Sequence, residues 1–114
     1  MATAMLLDWE RVTQEEYDRI NDALDLGVNP IEGLILHTAG ATPTGWRVFD
    51  IWESPEAFQR FVQERLMPVI KEVGPEGKGE PQPRLYHLHN LYTPGAEELS
   101  RIGATALSGD RVRA

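Results

Sequence analysis

The sequence predicts an α+β fold of the ferredoxin-like βαββαβ type: a four-stranded antiparallel sheet with two helices on one face. Three observations carry this prediction. Two segments open with clear helix-start signals, four others read as strands, and the two kinds follow one another as strand, helix, strand, strand, helix, strand. Right-handed crossovers in that order put both helices on the same side of the sheet. The other side is left bare, and what covers it decides the biology.

Thr3 to Trp9 is short and apolar and reads as the first strand. Thr13 then stands as an N-cap with Glu16 three residues on, a capping box, and Val12 and Tyr17 have the spacing of a hydrophobic staple. Tyr17, Ile20 and Leu24 recur at helical spacing, and Gly27 is the expected stop. Gly33 to Ala39 predicts a buried strand and Gly40 to Gly45 a turn. Trp46 to Glu53, dense in aromatic and β-branched residues, returns as the second arm of a hairpin. Ser54 caps a second helix, with Pro55 at its first position, where a missing N–H costs nothing. Its apolar face continues to Val73, and Pro68 removes one helical hydrogen bond, so a kink or break is expected there. Gly74 ends this helix, Gly74 to Pro83 forms a loop, and Arg84 to Tyr92 is the last strand. Residues 1–92 then make the folded domain. Residues 93–114 are an extension with a weak helical stretch near Glu97 to Leu107, expected to be partly disordered or docked on a neighbour.

A chain of 114 residues, 41% hydrophobic and 25% charged, supports one modest core and not two. The net charge of −7 lacks the basic stripe that nucleic acid or an anionic membrane surface would need. No apolar run approaches the roughly 20 residues of a membrane helix, and the N-terminus lacks the basic and apolar regions of a signal peptide. With no cysteine, thiol nucleophiles, thiolate metal sites and disulfides are excluded, which fits a cytoplasmic location.

Alternation along the strands sorts the chemistry-bearing residues. On the third strand Trp46, Val48, Asp50 and Trp52 form one set, and Arg47, Phe49, Ile51 and Glu53 the other. The second set has its apolar pair between charges, as a strand under helices should, so the first set is expected to face away from them. Two tryptophans make a poor solvent surface. A second copy packed sheet against sheet, as a homodimer, would cover them and close a cavity. If Leu34 and Leu36 lie under the helices, His37 shares a face with Asp50. His87 and His89 are expected to face the cavity too, since two histidines under a helix layer would be costly to satisfy.

This arrangement makes His37, Asp50 and His89 the candidate catalytic residues, with Trp46, Trp52 and His87 lining a substrate pocket. A carboxylate that orients an imidazole suits proton transfer near neutrality. The same residues equally describe a polar network that fixes dimer register, and the tryptophans equally an interface filling. His87 and His89, on alternate strand positions, could share a metal with Asp50, but no further ligand is placed, so no metal is expected. No phosphate-binding loop, nucleophile elbow or other cofactor motif is present.

The stretch Gly45-Trp-Arg-Val-Phe-Asp-Ile-Trp-Glu-Ser-Pro-Glu-Ala-Phe-Gln-Arg-Phe61 resembles the dimeric α+β barrel superfamily. That superfamily includes antibiotic-biosynthesis monooxygenases, haem-degrading enzymes and small polyketide cyclases. By element order the resemblance covers residues 3–92, and by residues this one segment. It implies a dimeric barrel of two ferredoxin-like domains, with Trp52, which matches the family's strand tryptophan, at the cavity. Many of those monooxygenases, and the haem-degrading members, carry a histidine in the second helix. Phe61 to Val73 has none, so haem degradation is not expected. The resemblance points to a small cofactor-independent enzyme of monooxygenase or cyclase type, acting on a small apolar, aromatic or polyketide-like substrate. His37 or His89 would abstract a proton from an activated carbon, with Asp50 orienting the imidazole. The competing reading is a non-catalytic dimeric binding or accessory protein with structural histidines.

Overall fold

All four predicted strands are present in the structure, a computed structural model that describes residues 2–105. They are β1 (Thr3–Glu10), β2 (Leu34–Thr42), β3 (Gly45–Trp52) and β4 (Gln82–His87). The helices are α1 (Gln14–Leu24), α2 (Pro55–Phe61), α3 (Met67–Val73) and α4 (Ala96–Thr105). The sheet order is β2-β3-β1-β4 with every pair antiparallel, and α1 to α3 cover one face: an α+β ferredoxin-like fold.

Local signals set most boundaries. The Thr13 side chain accepts from the Glu16 N–H and the Glu16 carboxylate accepts from the Thr13 N–H, so α1 starts with a complete capping box. It ends at Leu24, earlier than Gly27, because Asp25 itself takes the left-handed conformation that closes a helix. The Ser54 hydroxyl accepts from the Ala57 N–H at the start of α2. The break expected at Pro68 takes the form of a π-helical turn, Val62–Leu66, between α2 and α3, with Pro68 in the first turn of the latter. There its missing N–H leaves no broken bond. Arg65 fixes this turn by donating to the Leu24 carbonyl at the end of α1 and to the Pro30 carbonyl.

The fourth strand is shorter than expected, Gln82–His87 in place of Arg84 to Tyr92. Its neighbour explains the difference. β1 begins at Thr3, the partner of His87, and one further bond, from the Leu88 N–H to the Ala2 carbonyl, continues the pairing beyond it among the described residues. Pro83 is tolerated because β4 lies at the sheet edge. The helix expected near Glu97 to Leu107 is α4 as far as Thr105, and its last two residues lie outside the described ones, as does the rest of the tail.

The expected faces of β3 are reversed. Trp46, Val48, Asp50 and Trp52 lie beneath the helices. The Trp52 ring sits 5.4 Å from both Phe58 and Phe61, and Trp46 lies 5.1 Å from Tyr17 of α1. The charges that seemed to cap a buried set point the other way for a simple reason. Arg47 is held on the open face by Asp8, its register partner on β1, at 2.7 Å. Burying two indoles also removes more apolar area from water than burying Phe49 and Ile51. The indoles therefore decide the orientation, and Asp50 is carried under the helices with them.

β2 departs from strict alternation. A register shift between Leu34 and Leu36 puts Leu34 opposite Trp52 and His37 opposite Asp50, both on the helix side. Leu36 pairs with Ile51 on the open side. The helix-side core is completed by Met5, Leu7 and Trp9 of β1 with Ile20, Leu24 and Phe58 above them. At the hairpin's end only glycine fits: a Cβ on Gly45 would stand 2.3 Å from the Trp9 carbonyl oxygen. The open face carries Leu6, Leu36, Phe49 and Tyr86, with Asp8 between Arg47 and Arg84. Hydrogen bonding from Arg47 holds the Asp8 carboxyl below its ordinary value.

Candidate active site

Between the sheet and the helices lies a cavity of about 90 Å³, reaching from Met5 and Leu7 on the sheet to Ile20 and Ile70 above. Its wall is apolar apart from the indole nitrogens and the side chains of Tyr17, Asn21, His37 and Asp50. Three of those four are joined in one chain of hydrogen bonds.

Asp50 is the anchor. Its carboxyl is 6% exposed, and Oδ2 accepts from Trp52 Nε1 at 3.1 Å while Oδ1 lies 2.7 Å from His37 Nδ1. A carboxylate only accepts, so Nδ1 carries the proton and Nε2 presents its lone pair. Tyr17 meets that lone pair, its hydroxyl 2.5 Å from Nε2. The phenol and imidazole rings lie nearly parallel, with 11° between their planes. The arrangement follows from local structure. His37 and Asp50 are direct cross-strand partners in β2 and β3, Trp52 lies two residues beyond Asp50 on the same face, and Tyr17 comes down from α1. The imidazole is 33% exposed, so one end of the chain is buried and the other reaches water.

Among the residues singled out in the sequence, the structure gathers His37, Asp50, Trp46 and Trp52 at this cavity. It does not bring His87 or His89 there. His87 closes β4 and His89 follows the strand, both exposed. The face reversal also places this pocket on the helix side of the sheet and not against the open face expected to meet a second copy. Among the described residues no three histidine or acidic side chains cluster closely enough to hold a metal ion, and no helix is long and apolar enough to cross a membrane. Tyr17 was the residue that sequence reasoning missed. As the residue just inside the first turn of α1 it reads as a helix staple, and only the position of α1 over the start of β3 turns its hydroxyl toward His37.

One end of the cavity is closed by the loop before β4, which contributes Pro81 to the wall. Three contacts fasten it. The Trp9 indole N–H donates to the Lys78 carbonyl, Arg11 donates to the Gly77 carbonyl, and the Lys78 ammonium lies 2.7 Å from Glu16. The Lys78 ammonium and the Thr13 N–H hold the Glu16 carboxyl below its ordinary value of 4.5. A group depressed in the folded state stabilises above its unfolded value and loses that contribution only as the pH falls through the folded one. The strap is therefore fastened at neutral pH and released only in acid.

No family model matches the sequence, and no curated protein does. SnoaB from Streptomyces nogalater, a cofactor-independent oxygenase, superposes with a TM-score of 0.56 at 12% identity, over 79% of this chain and 94% of that one. A protein of unknown function from Nitrosomonas europaea gives a TM-score of 0.58 at 16% identity, over 82% and 95%. Proteins described as putative antibiotic biosynthesis monooxygenases, from Chloroflexus aurantiacus and Deinococcus radiodurans, share this ferredoxin-like fold at 12% and 10% identity. A hydroxynitrile lyase from Passiflora edulis has it as well, with a TM-score of 0.52 at 12% identity over 80% and 95%. One backbone thus carries different reactions, and the site must argue for the chemistry.

Proposed function

We propose that this protein is a cofactor-independent enzyme that removes a proton from an activated carbon of a small, mostly apolar carbonyl compound. The observation that carries the reading is the Tyr17–His37–Asp50 chain set into an otherwise apolar wall. As the substrate C–H bond breaks, its proton passes to the Tyr17 oxygen while the Tyr17 proton passes to His37 Nε2. The imidazolium that forms is stabilised by Asp50, which stays ionised and keeps Trp52 Nε1–H as its second donor. The carbanion, delocalised into the substrate's own carbonyl, can then take up dioxygen or close on a second carbonyl carbon. The cavity is smaller than the 150 Å³ that accommodates benzene in an engineered core, so the substrate is expected to be of one-ring size and to enter as the wall relaxes.

Exchange of the benzylic protons of phenylacetone for deuterium, followed by NMR in D₂O, tests this. The wild-type protein is expected to accelerate exchange over buffer. His37→Gln and Tyr17→Phe are each expected to lower the catalysed rate at least about 100-fold, with unchanged melting temperatures. If phenylacetone binds and the wild type exchanges it no faster than buffer, the protein is a binding module and its histidine chain is structural.

We further infer that two copies pack through the open face of the sheet. Leu6, Phe49 and the half-exposed Tyr86 make an apolar centre beside the Asp8, Arg47 and Arg84 charges, the composition of a subunit interface. Light scattering is expected to give twice the chain mass, and Phe49→Glu to give the monomer. A wild-type monomer at high micromolar concentration excludes this dimer.

A further inference from the structure

Trp46, one of the residues lining the cavity, carries a polar atom that the proton-transfer chain does not use. Trp46 is 8% exposed, and its Nε1 is buried without a hydrogen-bond partner among the described residues. The other two indoles behave differently: Trp9 donates to the Lys78 carbonyl and Trp52 to Asp50. A buried indole N–H left unpaired is costly, and native cores rarely keep one without a use. Its surroundings narrow the use. Trp46 lines the same cavity as Tyr17, His37 and Asp50, and its ring lies against the Tyr17 ring. An indole is only a donor, so whatever satisfies it must be an acceptor. Neither Asp50, engaged with His37 and Trp52, nor the Asn21 amide accepts from it, which leaves an acceptor brought by the ligand.

We propose that Trp46 Nε1–H is the specificity-determining donor for the carbonyl oxygen of the substrate. This rests on the reading of the cavity as a substrate site and names the group that it selects. The pocket then divides its work. Tyr17, backed by His37, handles the proton, and Trp46 holds the oxygen onto which the resulting charge spreads, a bond that strengthens as the enolate forms. A hydrocarbon of the same shape would fill the same space and leave the donor unpaired. Discrimination by a built-in donor is larger than discrimination by shape, because rejecting the wrong ligand requires no clash.

Acetophenone and α-methylstyrene, which differ only in C=O against C=CH₂, provide the test. The chain has three tryptophans, so an amide-region ¹H–¹⁵N spectrum of the full-length protein resolves three indole signals, and Trp46→Phe identifies one of them by its loss. Acetophenone is expected to move the Trp46 indole signal downfield and α-methylstyrene to leave it in place. Trp46→Phe, which keeps an aromatic ring against Tyr17, is expected to weaken acetophenone about tenfold and α-methylstyrene hardly at all, the worth of one neutral hydrogen bond. If both ligands perturb the Trp9 and Trp52 signals and treat Trp46 alike, the donor role is wrong and the substrate site stands. If neither ligand perturbs any indole, the site reading falls and this inference with it. Should the variant fail to fold, the wild-type spectra alone decide.

Discussion

Trp52→Ala is expected to destabilise the fold by about 4 kcal/mol, a large part of what a domain of this size possesses. Trp52 is 1% exposed, and its ring is wedged between Phe58 and Phe61 of α2. Truncation leaves a cavity beneath that helix, and it also strips Asp50 of the indole donor that solvates its carboxylate. Urea denaturation checks the free energy, and calorimetry should show the melting temperature falling by about 15–20 °C. Trp52→Phe separates the two contributions: the ring remains, the N–H goes, and a loss of about 1–2 kcal/mol is expected. A loss below about 1 kcal/mol for the alanine variant would mean that the ring is not the keystone of α2.

Under the proposed proton transfer, Asp50→Asn is expected to abolish most of the phenylacetone exchange. The amide has the carboxylate's shape, but its single oxygen can accept from either His37 Nδ1–H or Trp52 Nε1–H, where the carboxylate accepts from both. The imidazolium formed during proton transfer also loses its counter-charge in a site that is 6% exposed at Asp50. The turnover rate for phenylacetone exchange should fall about 10³-fold while the concentration for half-saturation changes little, because both carboxylate oxygens of Asp50 are engaged by His37 and Trp52. A parallel rise in that concentration would instead assign Asp50 to holding the pocket's shape.

The sequence was a good guide wherever a signal was local. The Thr13/Glu16 box and the Ser54-Pro55 start each depend on neighbours in the chain and occur where the residues place them, and the hairpin is present with a tighter turn than expected, Pro43-Thr44 in place of Gly40 to Gly45. That His37 shares a face with Asp50 was expected on the premise that Leu34 and Leu36 both lie under the helices; the two do share a face, but it is the helix side, and Leu36 pairs with Ile51 on the other. Which side of the sheet the helices cover was not local. Period-two alternation gives two sets and no sign, and the sign was fixed by Phe58, Phe61 and Tyr17, three residues on helices that meet β3 only in three dimensions. The same limit hid Tyr17's partnership with His37, 20 positions away. The end of β4 failed for a third reason: a strand extends only as far as its neighbour, and nothing in Leu88 to Tyr92 records that β1 starts at Thr3.

Because Tyr17, His37, Asp50 and both cavity tryptophans belong to one polypeptide, catalytic units in any assembly of this chain would be self-sufficient. A mixed pair made from one intact and one Asp50→Asn chain should retain half the output of the intact pair, with no complementation between the two. Stoichiometry would then govern how long the protein survives and leave how fast each copy works untouched.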